Sequence, residues 1–300
     1  MILVIGGTGQ LGSLVVRALG TQDVEVCVLQ GPSSRHAPPP GVRTVQGDVL
    51  DVDFMRGLLD QTRTLFLLNP VVGDEATRAL LTLDLAADAN IDRVVYLSMI
   101  NADKFICVPH AAAKFAAERT IEERGLPTSI LRPNYFFQND AGHQEALLDH
   151  GVYPMPIGGM GVDMVDARDI AAVAAHELVR REQAPRALPS ELIEIVGPDR
   201  FTGDSIAQLW SEVLGRPVRY AGDDVRAFEA AARTRLPNGM AYDAALMFRD
   251  FQLYGMHGGV GAAEQLALRL GQPLRTYRAF AEETLAAWQA QPTEDRASPR

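Results

Sequence analysis

The chain has few cysteines, two in 300 residues (Cys27 and Cys107), and no basic leader ahead of its first apolar run. Two thiols cannot build a disulfide framework, so the sequence predicts a protein of a reducing compartment, the cytoplasm. It also lacks any apolar run near the roughly 20 residues that a membrane-spanning helix needs. With 47% apolar and 22% charged residues, the composition is that of an ordinary globular chain and excludes wholesale disorder. Positive charge is in deficit, 28 Lys and Arg against 38 Asp and Glu, for a net charge of -10. Such a surface repels phosphate backbones and anionic headgroups alike, which argues against nucleic-acid or membrane partners. Metal chemistry lacks support too. His36, His110, His143, His150, His176 and His257 show no ligand pairing, and the cysteines stand alone.

What is present is an alternation of short β-branched runs with helical stretches through the first two hundred residues. That pattern predicts an α/β fold, a Rossmann-like doubly wound parallel sheet. Strands are expected at 2–5, 24–29, 42–46, 64–68, 93–98, 128–131 and 192–196, each apolar almost throughout, as strands buried on both faces should be. Gly31 to Gly41 holds four prolines and reads as a loop. After Gly197-Pro198 the pattern turns helical, with Thr202 as an N-cap and Gly215 as a helix stop. The expected division is a dinucleotide-binding domain of residues 1–150 and 165–197, and a smaller, mainly helical C-terminal lobe of 151–164 and 198–290. Residues 291–300, without apolar periodicity, read as a flexible tail.

The chemistry starts at Gly6-Gly7-Thr8-Gly9-Gln10-Leu11-Gly12, between the first strand and the helix from Leu11 to Leu19. Gly6 permits the tight turn, Gly9 lets the backbone approach a pyrophosphate, and Gly12 allows close helix-to-strand packing. The first-turn N–H groups, at Thr8, Gln10 and Leu11 among others, favour the anion. An acid near the end of the second strand would grip an NAD ribose, but Gln30 stands there, followed by Ser33, Ser34 and Arg35. Hydroxyl and guanidinium donors with no opposing carboxylate suit a 2'-phosphate, so NADP(H) is favoured over NAD(H).

The glycine turn, Gln46-Gly47-Asp48, His110-x-x-x-Lys114, Ile130-Leu131-Arg132-Pro133 and Asp166-x-Arg168-Asp169-Ile170-Ala171 occur in one order. In this the chain resembles the NmrA-like family, an atypical branch of the short-chain dehydrogenase/reductases. Leu214-Gly215-Arg216-Pro217-Val218 and Leu270-Gly271-Gln272-Pro273 extend the resemblance into the C-terminal lobe. The family mixes NAD(P)H-dependent reductases with redox-sensing regulators that bind dinucleotide without known catalysis. The resemblance implies that Asp48 accepts the adenine amino group and that Asn69 runs along the phosphates and ribose. It also implies that Lys114 reaches the nicotinamide ribose and serves as base.

The usual Tyr-x-x-x-Lys pair puts both side chains on one helix face. Here His110 takes the tyrosine's place and Lys114 follows one turn on. The fifth strand ends Leu97-Ser98-Met99, leaving Ser98 to polarise a carbonyl or to satisfy strand-end groups. Pro133 would adjoin the cofactor, and Asn134, Tyr135 and Phe136 would wall the substrate pocket, where a flat conjugated molecule stacks well. Asp166 and Asp169 have capping spacing and read as structural. The expected function is reduction of a small conjugated carbonyl or quinone by hydride transfer, with Lys114, His110 and Ser98 as catalytic residues. The alternative is a non-catalytic NADP(H) redox sensor acting through a protein partner.

Overall fold

Strands buried on both faces need apolar side chains at every position, and Ile2–Ile5, all four residues of which are buried, forms the first of them, β1. The computed structural model describes residues 1–32, 34 and 37–290; Ser33, Arg35, His36 and the predicted tail 291–300 lie outside the described residues. In chain order β1 is followed by α1 (Gln10–Leu19), β2 (Val26–Gln30), β3 (Arg43–Gln46), α2 (Val52–Leu59), β4 (Thr64–Leu67) and α3 (Glu75–Asp88). Next come β5 (Val94–Leu97), α4 (Pro109–Glu123), β6 (Thr128–Pro133), α5 (Gln144–Leu148), β7 (Val152–Tyr153) and α6 (Ala167–Gln183). The chain continues through β8 (Glu191–Ile195), α7 (Gly203–Leu214), β9 (Arg219–Tyr220), α8 (Val225–Ala232), α9 (Asn238–Tyr254), α10 (Ala262–Leu270) and α11 (Tyr277–Ala290).

The chain divides into two compact units. The first comprises Met1–Pro133, Ala167–Ile195 and Gly259–Gln272. Its seven strands are all parallel, in the order β3-β2-β1-β4-β5-β6-β8. This is the doubly wound α/β arrangement, with its order reversing between β1 and β4, where ligands bind at the carboxyl ends of the strands. Leu3, Ile5, Cys27, Leu29, Leu65, Leu67 and Tyr96 share one core with Leu83 of α3 and Ile121 of α4. The expectation of apolar strands fails at β3. This edge strand reads Arg-Thr-Val-Gln, and three of its four residues are exposed. With one neighbour only, an edge needs no second buried face, and polar side chains there discourage further pairing. The proline-rich 31–41 stretch contributes no strand or helix among the described residues, as expected.

The second unit holds Asn134–Asp166, Val196–Gly258 and the chain from Pro273 onward. Residues 134–150, read from sequence as part of the first domain, belong here. Phe137, in a 3-10 helix spanning Phe137–Gly142, packs against the rings of Tyr277 and Phe280 at centroid distances of 5.1 and 5.7 Å. Conversely, α10 belongs to the first unit, where Arg269 pairs with Glu177 at 2.7 Å and also with Glu191. Thr202 caps α7 as predicted. Its hydroxyl accepts from Ser205 N at 3.2 Å while Ser205 Oγ accepts from Thr202 N at 2.8 Å, and Gly215 ends the helix at φ 64°. Helix α6 starts at Ala167, three residues before the sequence reading, which puts Asp169 in its first turn.

Candidate active site

Gly6 sits at φ 84°, and a Cβ there would lie 2.3 Å from Leu68 O. A Cβ on Gly12 would lie 2.0 Å from Gly6 O. Both positions require glycine for packing. Gly9 differs, for its Cβ would meet only Gly6 O, at 3.5 Å, so the space beside it is open. Helix α1 begins at that open point with no capping side chain and no acid in its first turn. Its leading N–H groups thus remain available to an anion.

Around this turn lies a cleft of about 400 Å³, walled by the ends of four strands: Ile5 and Gly6 at the end of β1, Leu29 and Gly31 at the end of β2, Gly47 and Asp48 after β3, and Leu68 and Asn69 after β4. Thr8, Gly9, Gln10, Leu11 and Ser34 line it. Ser34 Oγ donates to Thr8 Oγ1 at 2.8 Å, tying the loop after β2 to the glycine turn. Gln30 does not line the cleft; its carbonyl accepts from Gly47 N at 3.2 Å and joins β2 to the end of β3. Arg35 lies outside the described residues.

Asp48 faces the cleft, but Oδ1 accepts from Leu50 N at 3.1 Å and from Arg78 Nη1 at 3.2 Å. The aspartate therefore acts as a turn residue and as an anchor for Arg78, a cleft residue that sequence reading missed. Arg78 also holds Asp74 one helical turn back, at 2.9 Å, and this pairing pulls the Asp74 carboxyl below its ordinary value. The D-x-x-x-R spacing was its only signal in the sequence.

Lys114 is not a surface lysine. It is 6% exposed, with Nζ donating to Glu75 Oε1 at 2.7 Å and to Leu97 O at 3.3 Å. Glu75 in turn offers its backbone carbonyl to the amide of buried Asn69, at 3.3 Å. Lys114 thus stands behind the cleft wall and braces it at the carboxyl ends of β4 and β5; it does not itself line the cleft. Only two of the chain's 28 basic residues are lysines, Lys104 and Lys114. A compact ammonium directs its N–H groups to two oxygens in a space where a planar guanidinium would not fit as readily. His110 is half-buried in the first turn of α4, one turn before Lys114 on the same helix.

Ser98 is buried, and its hydroxyl donates to Glu118 Oε1 at 2.6 Å. Glu118 also receives Arg132 Nε at 2.9 Å, which holds the arginine's charge on more strongly. The serine is occupied by this cluster rather than turned toward a carbonyl. Pro133 ends β6, its carbonyl accepting from Ile100 N at 3.0 Å, and does not line the cleft.

In the second unit, buried Asn134 uses its amide on the backbone, donating to Met256 O and accepting from Tyr135 N, both at 2.7 Å. It is a tie between backbone segments of this unit. Phe136 is half-buried, and its backbone bridges to Val165. Tyr135 is held edge-on by Phe248 and Phe251, both at 6.0 Å, and burial pushes its phenol well up. Of these three, Tyr135 alone lines the unit's cavity of about 850 Å³, with Phe228, Met155, His143 and Arg235 among its neighbours. Below this wall Asp140 is fully buried, and Oδ2 accepts from Tyr277 at 2.6 Å and Tyr153 at 3.1 Å. Burial pushes its carboxyl up to about 7, the two hydroxyls offsetting only part of that cost.

A profile of the NmrA-like family matches residues 1–282. The NAD(P)H azoreductase of Xenophilus azovorans is 28% identical over 295 residues, covering 97% of this chain and 100% of that one. The (4-alkanoyl-5-oxo-2,5-dihydrofuran-3-yl)methyl phosphate reductase of Streptomyces griseus subsp. griseus is 29% identical over 295 residues, covering 95% and 99%. Among solved structures, the NADPH-dependent quinone oxidoreductase of Escherichia coli complexed with NADPH matches with a TM-score of 0.82 at 23% identity, over 95% of this chain and 100% of that chain. At that identity the likeness shows the shared fold.

Proposed function

The chain belongs to the NmrA-like family, and we propose that it is an NAD(P)H-dependent reductase of small conjugated carbonyls or quinones. The observation that carries this reading is the open space at Gly9, flanked by two glycines that packing alone requires and facing the uncapped start of α1. The cleft fits a dinucleotide. Gly9, Gln10 and Leu11 would hold the pyrophosphate, and the ends of β2 and β3, with Asp48 and Arg78, would flank the adenosine. When bound, a reduced nicotinamide supplies hydride to an electrophilic acceptor. The relatives support this chemistry, since the azoreductase uses NAD(P)H and the dihydrofuran phosphate reductase is named for a cyclic oxo compound.

The residues of the chain do the rest. Glu75 fixes the Lys114 ammonium, and through its carbonyl it fixes Asn69 in the cleft wall. We assign Lys114 to holding that wall and, through it, to positioning the cofactor, with His110 as its neighbour on α4. A cofactor with a 2'-phosphate is favoured because β2 ends in Gln30 and the Asp48 carboxylate already has Arg78. Both cysteines are free thiols, which supports a reducing compartment such as the cytoplasm.

The test is NADPH absorbance against a panel of quinones and enones. Steady consumption supports the reading; tight NADPH binding with no turnover on any acceptor replaces it with a redox sensor. Arg35→Ala should lower NADP preference by roughly ten- to a hundredfold, one lost charge-assisted contact. Equal losses for NADP and NAD would remove Arg35 from the 2'-phosphate.

A further inference from the structure

The cavity of the second unit has a polarity that the reductase reading leaves unused. Most of its wall is apolar or aromatic: Tyr135, Pro154, Met155, Pro156, Phe228 and Leu236. The ring of Phe228 is fixed edge-on by Phe248 at 4.7 Å, and Tyr135 by the same phenylalanine, so the aromatic surface is rigid. Flat conjugated molecules match such a wall.

Against this wall stand three basic side chains, Arg235, His143 and His150. Arg235 is an exposed residue that lines the cavity and has no carboxylate within ion-pair reach among the described residues. His143 lines it as well, and its Nε2 is buried with no hydrogen-bond partner among the described residues. Burial, followed by the charge of Arg235, pushes the imidazole down to about 4, so at neutral pH it is an uncharged donor and acceptor beside a permanent cation. The acids that line the cavity form no ion pair with that cation. Asp224 Oδ1 accepts from Arg226 N and Ala227 N, both at 3.0 Å, as the cap of α8. Glu145, mostly exposed, lies 3.7 Å from His150 at the rim.

An unpaired guanidinium beside a neutral imidazole, on the edge of an apolar slot, is a receptor for an anion attached to a flat apolar body. We propose that this cavity selects conjugated acceptors carrying an anionic group, with Arg235 and His143 binding the anion and the Tyr135–Phe228 wall taking the ring system. The inference rests on the reductase reading for the word acceptor, and its test is independent of turnover.

The probes are naphthalene-2-sulfonate and its neutral isostere naphthalene-2-sulfonamide, titrated calorimetrically into the full-length protein. The sulfonate should bind roughly ten- to a hundredfold more tightly, the worth of one charge-assisted pairing. In Arg235→Ala the two affinities should converge, Arg235→Lys should keep part of the gap, and His143→Ala should narrow it. Equal affinities in the unmodified protein, no binding of either probe at millimolar concentration, or a gap untouched by Arg235→Ala each overturn the proposal. If the gap follows Arg235 while no acceptor oxidises NADPH, the pocket stands and the reductase reading falls. If NADPH is oxidised but the gap is absent, the reverse holds.

Discussion

In the first unit, the buried charges of Lys114, Glu118 and Arg181 meet opposite charge or a ring of dipoles; in the second, Asp163 likewise has Arg200, but the fully buried Asp140 meets only neutral hydroxyls. Lys114 has Glu75, Arg132 has Glu118, and fully buried Arg181 donates to Ser129 Oγ and the carbonyls of Pro127, Leu188 and Pro189. Asp140 has only the phenols of Tyr153 and Tyr277, with Oδ1 buried and lacking a partner among the described residues. The first unit must hold strand ends in fixed register around a polyanionic ligand, and charge-assisted bonds fix geometry well. An acid among hydroxyls is instead stable in its neutral form, which makes the second unit's core sensitive to pH.

The largest effect that would test this contrast is Lys114→Ala. It strands the carboxylate of Glu75, which is 2% exposed, and should destabilise the protein by about 3 to 5 kcal/mol, read from urea midpoints. Lys114→Met combined with Glu75→Gln should recover most of that loss. NADPH affinity of the double variant then isolates the ammonium's bracing of the cleft wall, with a weakening of roughly tenfold expected. A single variant as stable as the parent would show that the pair is not the brace described.

Next in size is Asp140→Asn. The folded carboxyl titrates near 7 against an ordinary 3.8, so the acid contributes stability below about pH 4 that is lost as pH rises through 7. The shift corresponds to at most about 4 kcal/mol at roughly 1.4 kcal/mol per pH unit. Thermal midpoints of the parent should therefore fall, relative to Asp140→Asn, between pH 4 and pH 8. A constant difference across that range would show that Asp140 is ionised throughout. His143 acts in the opposite sense, its contribution present above pH 6.5 and lost as pH falls toward 4, which is why the comparison is made against the asparagine variant and not on the parent alone.

Gly9→Val should weaken NADPH by about a hundredfold or more, since its side chain takes the volume meant for phosphate. Stability should change little, because only Gly6 O lies near the new Cβ. Gly12→Val, whose Cβ would stand 2.0 Å from Gly6 O, should instead cost folding. If both variants fold equally well and bind NADPH equally, the division of labour among the glycines is wrong. The smallest effect expected is Thr202→Ala, about 1 kcal/mol from the lost cap of α7. Circular-dichroism melting should place that loss in the second unit without changing NADPH affinity.

Local rules reach as far as the seven sheet strands, the Gly6–Gly12 turn, the Thr202 cap and the Gly215 stop, because each follows from side chains a few residues apart: apolar periodicity, a missing Cβ, a hydroxyl three residues from an N–H. The resemblance carried by short motifs extended this to the family. Tertiary structure decided the rest. That Ser98 turns to Glu118, that Asn134 is a backbone tie and that Asp48 anchors Arg78 depend on partners 20, 122 and 30 residues away. The Lys114–Glu75 brace spans 39 residues and the Asp140–Tyr277 contact 137. A buried polar group is satisfied by whatever the fold brings to it, and no periodicity in the chain records that meeting.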